Sequence, residues 1–77
     1  MAKYNGHDSR TAWNVSLWIN NDEGLYRMAR EYARGARTRD EAAENMLAAL
    51  NECGIEETPD GYRYSKSTIR KAMVGIL

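Results

Sequence analysis

Apolar residues recur at spacings of three and four along most of the chain, which places side chains on one face of an α-helix. The clearest example begins after Thr38, which forms the spacing of a capping box with Glu41. Gly54 can take the left-handed conformation that ends a helix, and Ile55 is positioned to contact the buried face. That face is predicted to consist of Ala42, Ala43, Met46, Leu47, Leu50 and Cys53.

The C-terminal segment has the same kind of pattern. Ser65 has the side chain of a good N-cap, and Tyr64 with Ile69 has the spacing of a hydrophobic staple. The predicted buried stripe consists of Ile69, Ala72, Met73, Ile76 and Leu77. Before this helix, the sequence Thr58-Pro59-Asp60-Gly61 has the composition of a type I turn. The flanking residues predict a minor β-hairpin near residues 55–64, which needs support from the helices because isolated hairpins are marginally stable.

Residues 21–37 predict an amphipathic helix with two very different faces. One side collects the apolar residues Leu25, Met28, Ala29, Tyr32 and Ala36. The opposite side collects four arginines, which are Arg27, Arg30, Arg34 and Arg37. Asn20 or Asn21 is the predicted N-cap, and Asp22 and Glu23 suit the positive end of the helix dipole.

The decapeptide TAWNVSLWIN at residues 11–20 fits two structures. Read in twos, its apolar and polar residues alternate as in a half-buried strand. Read as a helix, it is apolar on nearly every side, as a central, nearly enclosed helix would be. We favour a helix from Ser9 to Asn20 with Asp8 as its N-cap, because a strand would have only the weak hairpin to pair with. The expected fold is mainly α, a small single domain spanning residues 1–77 with four short helices and the minor hairpin.

The composition is that of a globular protein, with 43% hydrophobic residues and a net charge of zero. The zero total hides charge segregation, because residues 27–39 contain five arginines against one glutamate, whereas residues 40–60 contain acids and no base. The single cysteine, Cys53, allows no internal disulfide, which fits a reducing cytoplasm, and it is expected to be a small core residue. We expect no membrane span and no signal peptide.

No catalytic or cofactor-binding signature appears in the sequence, so we expect neither an enzyme nor a cofactor. His7-Asp8-Ser9 has the residue types of a hydrolytic triad, but neighbours in sequence cannot adopt the relay geometry that a triad requires. One histidine and one cysteine do not supply the ligands of a structural zinc site.

The first third of the chain is similar to a known sequence pattern. The residues that match it are Tyr4-Asn5-Gly6, Trp13-Asn14-Val15, Leu17-Trp18 and Asn21-Asp22-Glu23-Gly24-Leu25-Tyr26. They resemble a family of small uncharacterised proteins carried by phages, prophages and other mobile elements, with an approximate pattern N-G-[WY]-x-[NS]-x-x-[ST]-W-N-V-x-L-W-[IL]-x-N-D-E-x-x-Y. This chain departs from the pattern at His7, where an aromatic residue is usual, and at Ala12, where a hydroxyl residue is usual.

The resemblance implies a context rather than an activity. Small phage proteins without catalytic motifs often bind and block a host machine, and CRISPR surveillance complexes are frequent targets. The resemblance therefore implies a non-enzymatic accessory protein that inhibits a host defence complex in the cytoplasm, as anti-CRISPR proteins do. The expected partner is a host protein or ribonucleoprotein complex; nucleic acid and a second copy of the chain are further candidates, and no membrane is expected.

The arginine row is the leading candidate for the contact surface, because guanidinium groups can grip carboxylates and phosphates in bidentate fashion. The predicted partner-binding residues are Arg27, Arg30, Arg34, Arg37 and an exposed Trp18. The alternative is a solvated face with ordinary ion pairs, such as Glu23 with Arg27. A second basic row, made of Arg63, Lys66 and Arg70, would add nucleic-acid contacts if both rows shared one surface. A structural subunit of a phage assembly is a third interpretation.

Overall fold

Four α-helices make up most of the computed structural model, which describes residues 10–74 and 76. They are α1 (Arg10–Asn21), α2 (Glu23–Gly35), α3 (Arg39–Glu52) and α4 (Lys66–Ala72). Both α1 and α3 pack against α2 and α4, whereas α2 and α4 do not pack on each other in the described part of the chain. The helices therefore form a ring with α2 and α4 at opposite corners. The prediction of a mainly helical fold with four helices is confirmed.

The decapeptide at residues 11–20 is helical and lies within α1. Val15 and Ile19, one turn apart, are fully buried, and Asn14 is buried beside them. Leu17 remains 40% exposed, so α1 is covered on most sides but not on all. The N-cap predicted for this helix, Asp8, lies outside the described residues.

The start of α2 differs from the prediction. Asn20 and Asn21 belong to α1, and their side-chain amides donate to backbone carbonyls four residues earlier at 2.8 Å. The N-cap is Asp22, whose Oδ1 accepts the N–H of Leu25 at 3.0 Å. A carboxylate suits this position better than an amide because it also meets the positive end of the helix dipole.

The starts of α3 and α4 follow their predicted caps. The Thr38 hydroxyl accepts the N–H of Glu41 at 3.0 Å. Ser65 forms a complete capping box with Thr68, in which each side chain bonds the backbone N–H of the other residue. These bonds satisfy N–H groups that have no partner inside the helix.

The end of α3 also follows the prediction. Gly54 has a φ of 78°, and its N–H donates to the carbonyl of Asn51 at 3.0 Å. The N–H of Ile55 donates to the carbonyl of Leu50 at 2.9 Å. This pair of bonds is the Schellman motif that a left-handed glycine permits. Cys53 was expected in the core, but it is exposed because it is the C-cap and lies where the chain turns away from the helix.

The minor β-hairpin predicted near residues 55–64 is not seen. The described residues contain no strand, and the pairing in this region is a single antiparallel bridge between Glu57 and Arg63. The turn does form, because the N–H of Gly61 donates to the carbonyl of Thr58 at 2.8 Å. The flanking residues are already used by the end of α3 and the cap of α4, so too few remain between them to make strands.

The core lies inside the ring of helices. Its buried members are Val15, Ile19, Ala29, Ala42, Ala43, Met46, Leu50, Tyr64, Ile69, Ala72, Met73 and Ile76. Within α2, only Ala29 is fully buried, whereas the larger apolar side chains of that helix are partly buried at the edge of the core. The α2 helix is thus less completely covered than α1 and α3, each of which contributes four buried residues.

Candidate functional site

The arginines predicted to bind a partner are all exposed, but they do not all lie on one helix. Arg27, Arg30 and Arg34 lie on α2 at spacings of three and four, so they share one outward side, which we call the arginine face. Arg37 lies beyond the end of α2, after the extended C-cap Ala36. The helix is shorter than predicted because Gly35 is a poor helix former and a new helix starts after Thr38.

The positive charge of this region is largely uncompensated within the described residues. Arg27 donates to Glu23 at 2.9 Å, and both side chains are highly exposed, at 70% and 86%. An exposed pair of this kind contributes little to stability. Arg30, Arg34 and Arg37 form no ion pair with any residue that the structure describes. Their guanidinium groups are therefore available to an external anion.

The second basic row has a different environment. Arg63 pairs with Glu56 at 3.5 Å, and Asp40, in the first turn of α3, accepts Lys66 at 3.1 Å and lies 3.7 Å from Arg70. Each of the three cations thus has a carboxylate of its own chain nearby. Lys66 and Arg70 lie on α4, which occupies the corner of the ring opposite α2, and Arg63 lies in the segment before α4. The second row is therefore less available to an external anion than Arg30, Arg34 and Arg37.

Trp18 contributes to a polar network rather than standing free as an aromatic anchor. Its Nε1 donates to Oδ2 of Asp60 at 2.9 Å, and Nδ2 of Asn14 donates to the same oxygen at 2.8 Å. Oδ1 of Asn14 accepts the hydroxyl of Thr58 at 2.8 Å, and that hydroxyl oxygen accepts the N–H of Tyr62 at 3.1 Å. These bonds join α1 to the turn between α3 and α4, and we call them the Asn14–Asp60 network.

The network also sets the charge state of its carboxylate. The hydrogen bond from Asn14 and, to a lesser extent, that from Trp18 lower the pKa of Asp60 below its ordinary value of 3.8. The Asp60 side chain is therefore ionised at neutral pH and accepts two bonds as an anion. The sequence alone does not reveal this network, because its partners are 42 to 46 residues apart and no local pattern connects them.

No three His, Cys, Asp or Glu side chains within residues 10–74 and 76 lie close enough together to hold a metal ion. None of the described helices combines the length and apolar character that a bilayer span requires. His7-Asp8-Ser9, which has the residue types of a triad but was not expected to form one, lies outside the described residues.

The geometry defines a small four-helix domain whose most distinctive surface is an exposed arginine face on α2. The chain belongs to DUF7249, a family of unknown function, whose sequence model matches residues 1–77. No curated protein and no solved structure matches the chain.

Proposed function

We propose that the protein is a non-enzymatic phage or mobile-element accessory protein that binds a host defence complex in the cytoplasm and inhibits it, as anti-CRISPR proteins do. The contact surface is the arginine face together with Arg37. The observation that supports this proposal is the exposure of Arg30, Arg34 and Arg37 without any carboxylate partner among the described residues. The phage context comes from the resemblance of the N-terminal third of the chain.

Unpaired guanidinium groups suit a docking surface for two physical reasons. Each group presents a planar set of donors that matches a carboxylate or a phosphate in bidentate geometry. Arg30, Arg34 and Arg37 form no ion pair with the described residues that would have to be broken first, so their attraction to a partner is not offset by such a loss. Arginine is also among the residues that most often dominate the binding energy of protein interfaces.

The test is affinity capture from a lysate of the bacterial host, with and without nuclease, followed by an inhibition assay on the captured complex. We expect wild-type protein to retain one defence complex and to inhibit it. The variant Arg30→Glu/Arg34→Glu should lose both effects, because two attractive contacts become repulsive. Arg63→Glu is the matched control, since it reverses an exposed arginine outside the arginine face and should keep both effects.

Two outcomes would contradict the proposal. If nucleic acid alone is retained and the signal disappears with nuclease, the protein is a nucleic-acid-binding module, and its affinity should fall steeply with salt. If the Arg30→Glu/Arg34→Glu variant inhibits as well as wild type while remaining folded, the arginine face is not the contact surface.

A further inference from the structure

An uncovered patch on α2 lies beside the arginine face. Two hollows of about 360 and 510 Å³ meet there and share Gly24 and Met28 in their linings. The first is also lined by Arg27, Glu31 and Tyr32. The second continues over apolar side chains of the core edge, which include Leu25, Leu50, Ile55, Pro59 and Tyr64. The α2 helix, which contributes a single fully buried residue to the core, thus has apolar surface on both sides of Gly24 and Met28.

We propose that this patch is a dimerisation surface on which α2 of a second copy packs antiparallel, with the twofold axis passing near Met28. A surface that binds its own copy must be self-complementary, because each element of the patch meets its counterpart in the other chain. Gly24, Met28 and Tyr32 follow each other at spacings of four and form one ridge of the helix. Packing such ridges of two helices against each other is the commonest class of helix contact.

The side chains of the patch have shapes that complement each other in an antiparallel arrangement. Antiparallel packing around Met28 places Tyr32 of the second copy over Gly24, and the reverse contact occurs on the other side of the axis. Gly24 has no side chain to obstruct the ring, and Met28 is flexible enough to fill an irregular gap at the axis. Both hollows border Gly24, so the aromatic ring of the second copy would cover apolar surface that water now reaches.

The patch also contains matching charges. Arg27 and Glu31 lie on the same side of the ridge, and the antiparallel arrangement places each within side-chain reach of the other residue in the second copy. Glu31 forms no ion pair with any described residue, so it is free to accept such a contact. This charge complementarity selects a second copy as the occupant over an unrelated apolar partner.

The dimer is expected to be weak. Each copy contributes a single helix of 13 residues and its immediate surroundings, which is less than a standard interface buries. Sedimentation velocity from about 10 μM to about 1 mM covers the range in which a contact of this size should form. We expect the average mass to rise from the 8.8 kDa of the monomer toward twice that value. A mass that stays monomeric across the whole range would overturn the proposal.

Charge reversal tests the orientation. Arg27→Glu should weaken the dimer about tenfold, since two symmetric attractions become repulsions. The double variant Arg27→Glu/Glu31→Arg should restore it, because the complementary pairs return with their signs exchanged. Arg70→Glu, on α4, which does not pack on α2 in the described part of the chain, should have no effect. A folded Arg27→Glu variant that dimerises like wild type, or a folded double variant that does not recover, would contradict the antiparallel arrangement.

A cross-link provides a test that does not depend on charge. Helix axes about 9 Å apart bring the two Met28 Cα atoms to about 4–5 Å, which is close enough for a disulfide. In a Cys53→Ser background, Met28→Cys should oxidise rapidly to a covalent dimer. Ala48→Cys, on the exposed side of α3, should do so only slowly. Equal rates for the two variants would refute the proposed contact.

Discussion

Replacing Asn14 by alanine tests how the turn between α3 and α4 is held to α1. The Asn14 side chain is buried, at 3% exposure. It donates to the Asp60 carboxylate at 2.8 Å and accepts the Thr58 hydroxyl at 2.8 Å. The substitution removes both bonds and leaves the buried Thr58 hydroxyl without its acceptor.

The size of the effect follows from these contacts. A hydrogen bond to a charged group contributes about 1.5–3 kcal/mol, and the lower end applies here because solvent screens the exposed Asp60 carboxylate. A buried donor left without an acceptor costs about 1–3 kcal/mol. The better helix propensity of alanine offsets these losses by roughly 0.6 kcal/mol. We therefore expect Asn14→Ala to lower the free energy of unfolding by about 3 kcal/mol. The loss is a large fraction of the roughly 4–12 kcal/mol expected for a chain of 77 residues.

The measurement is thermal and urea unfolding, followed by circular dichroism and tryptophan fluorescence. A loss of about 3 kcal/mol should lower the Tm by about 12–24 °C. Asn20→Ala is the matched control, because this asparagine lies in the same helix but is exposed and bonds only to groups of Ser16, one turn earlier. It should change stability by no more than about 0.5 kcal/mol. If the two variants unfold within about 0.5 kcal/mol of each other, the network does not hold the turn to α1.

Three further predictions concern pH, backbone conformation and surface charge. The pKa of Asp60 is lowered in the folded protein, so the ionised carboxylate stabilises the fold above pH 3.8, and this stabilisation is lost as the pH falls through the lowered pKa. When unfolding is measured across an acid titration, Asn14→Ala should therefore lose less stability than wild type. Gly54→Ala should lower the free energy of unfolding in urea by about 1–2 kcal/mol, because an alanine is strained at the φ of 78°. Gly35→Ala should be neutral or stabilising, because this residue is helical and has open space around the added methyl group. Asp40→Asn removes the carboxylate between Lys66 and Arg70, yet it should change the Tm by only a few degrees because all three side chains are well exposed.

The helix boundaries show which parts of the fold the sequence could predict. Ser65, Thr38 and Gly54 each bond a residue three positions away, so their roles could be predicted from the sequence alone. The helical state of residues 11–20 was less readable, because an apolar run fits either a strand or an enclosed helix. The helix is favoured because it buries Val15 and Ile19 inside the ring of helices.

The errors have a common physical origin, which is competition between neighbouring elements. Asp22, rather than either asparagine before it, is the N-cap of α2, and this helix ends at Gly35, before Arg37. Residues 55–64 form no strands, because the motif that ends α3 and the cap that starts α4 use the flanking residues. In each case the local conformational preference was predicted correctly, but a neighbouring residue or element determined the final structure.

The candidate site was predictable only in part. Helical spacing was sufficient to place Arg27, Arg30 and Arg34 on one side of α2. The bond from Trp18 to Asp60 spans 42 residues and depends on the packing of α1 against the later turn, which no spacing rule contains. The ion pairs of Lys66 and Arg70 with Asp40 are equally non-local, and Lys66 is 26 residues from Asp40.

The most direct test of the proposed function is the plaquing efficiency of a targeted phage on a CRISPR-immune bacterial host that expresses the protein. We predict that wild-type protein and Arg63→Glu restore plaquing, and that Arg30→Glu/Arg34→Glu, expressed to the same level, does not. Immunity that is unchanged by wild-type protein, or is abolished equally by the Arg30→Glu/Arg34→Glu variant, would contradict inhibition through the arginine face.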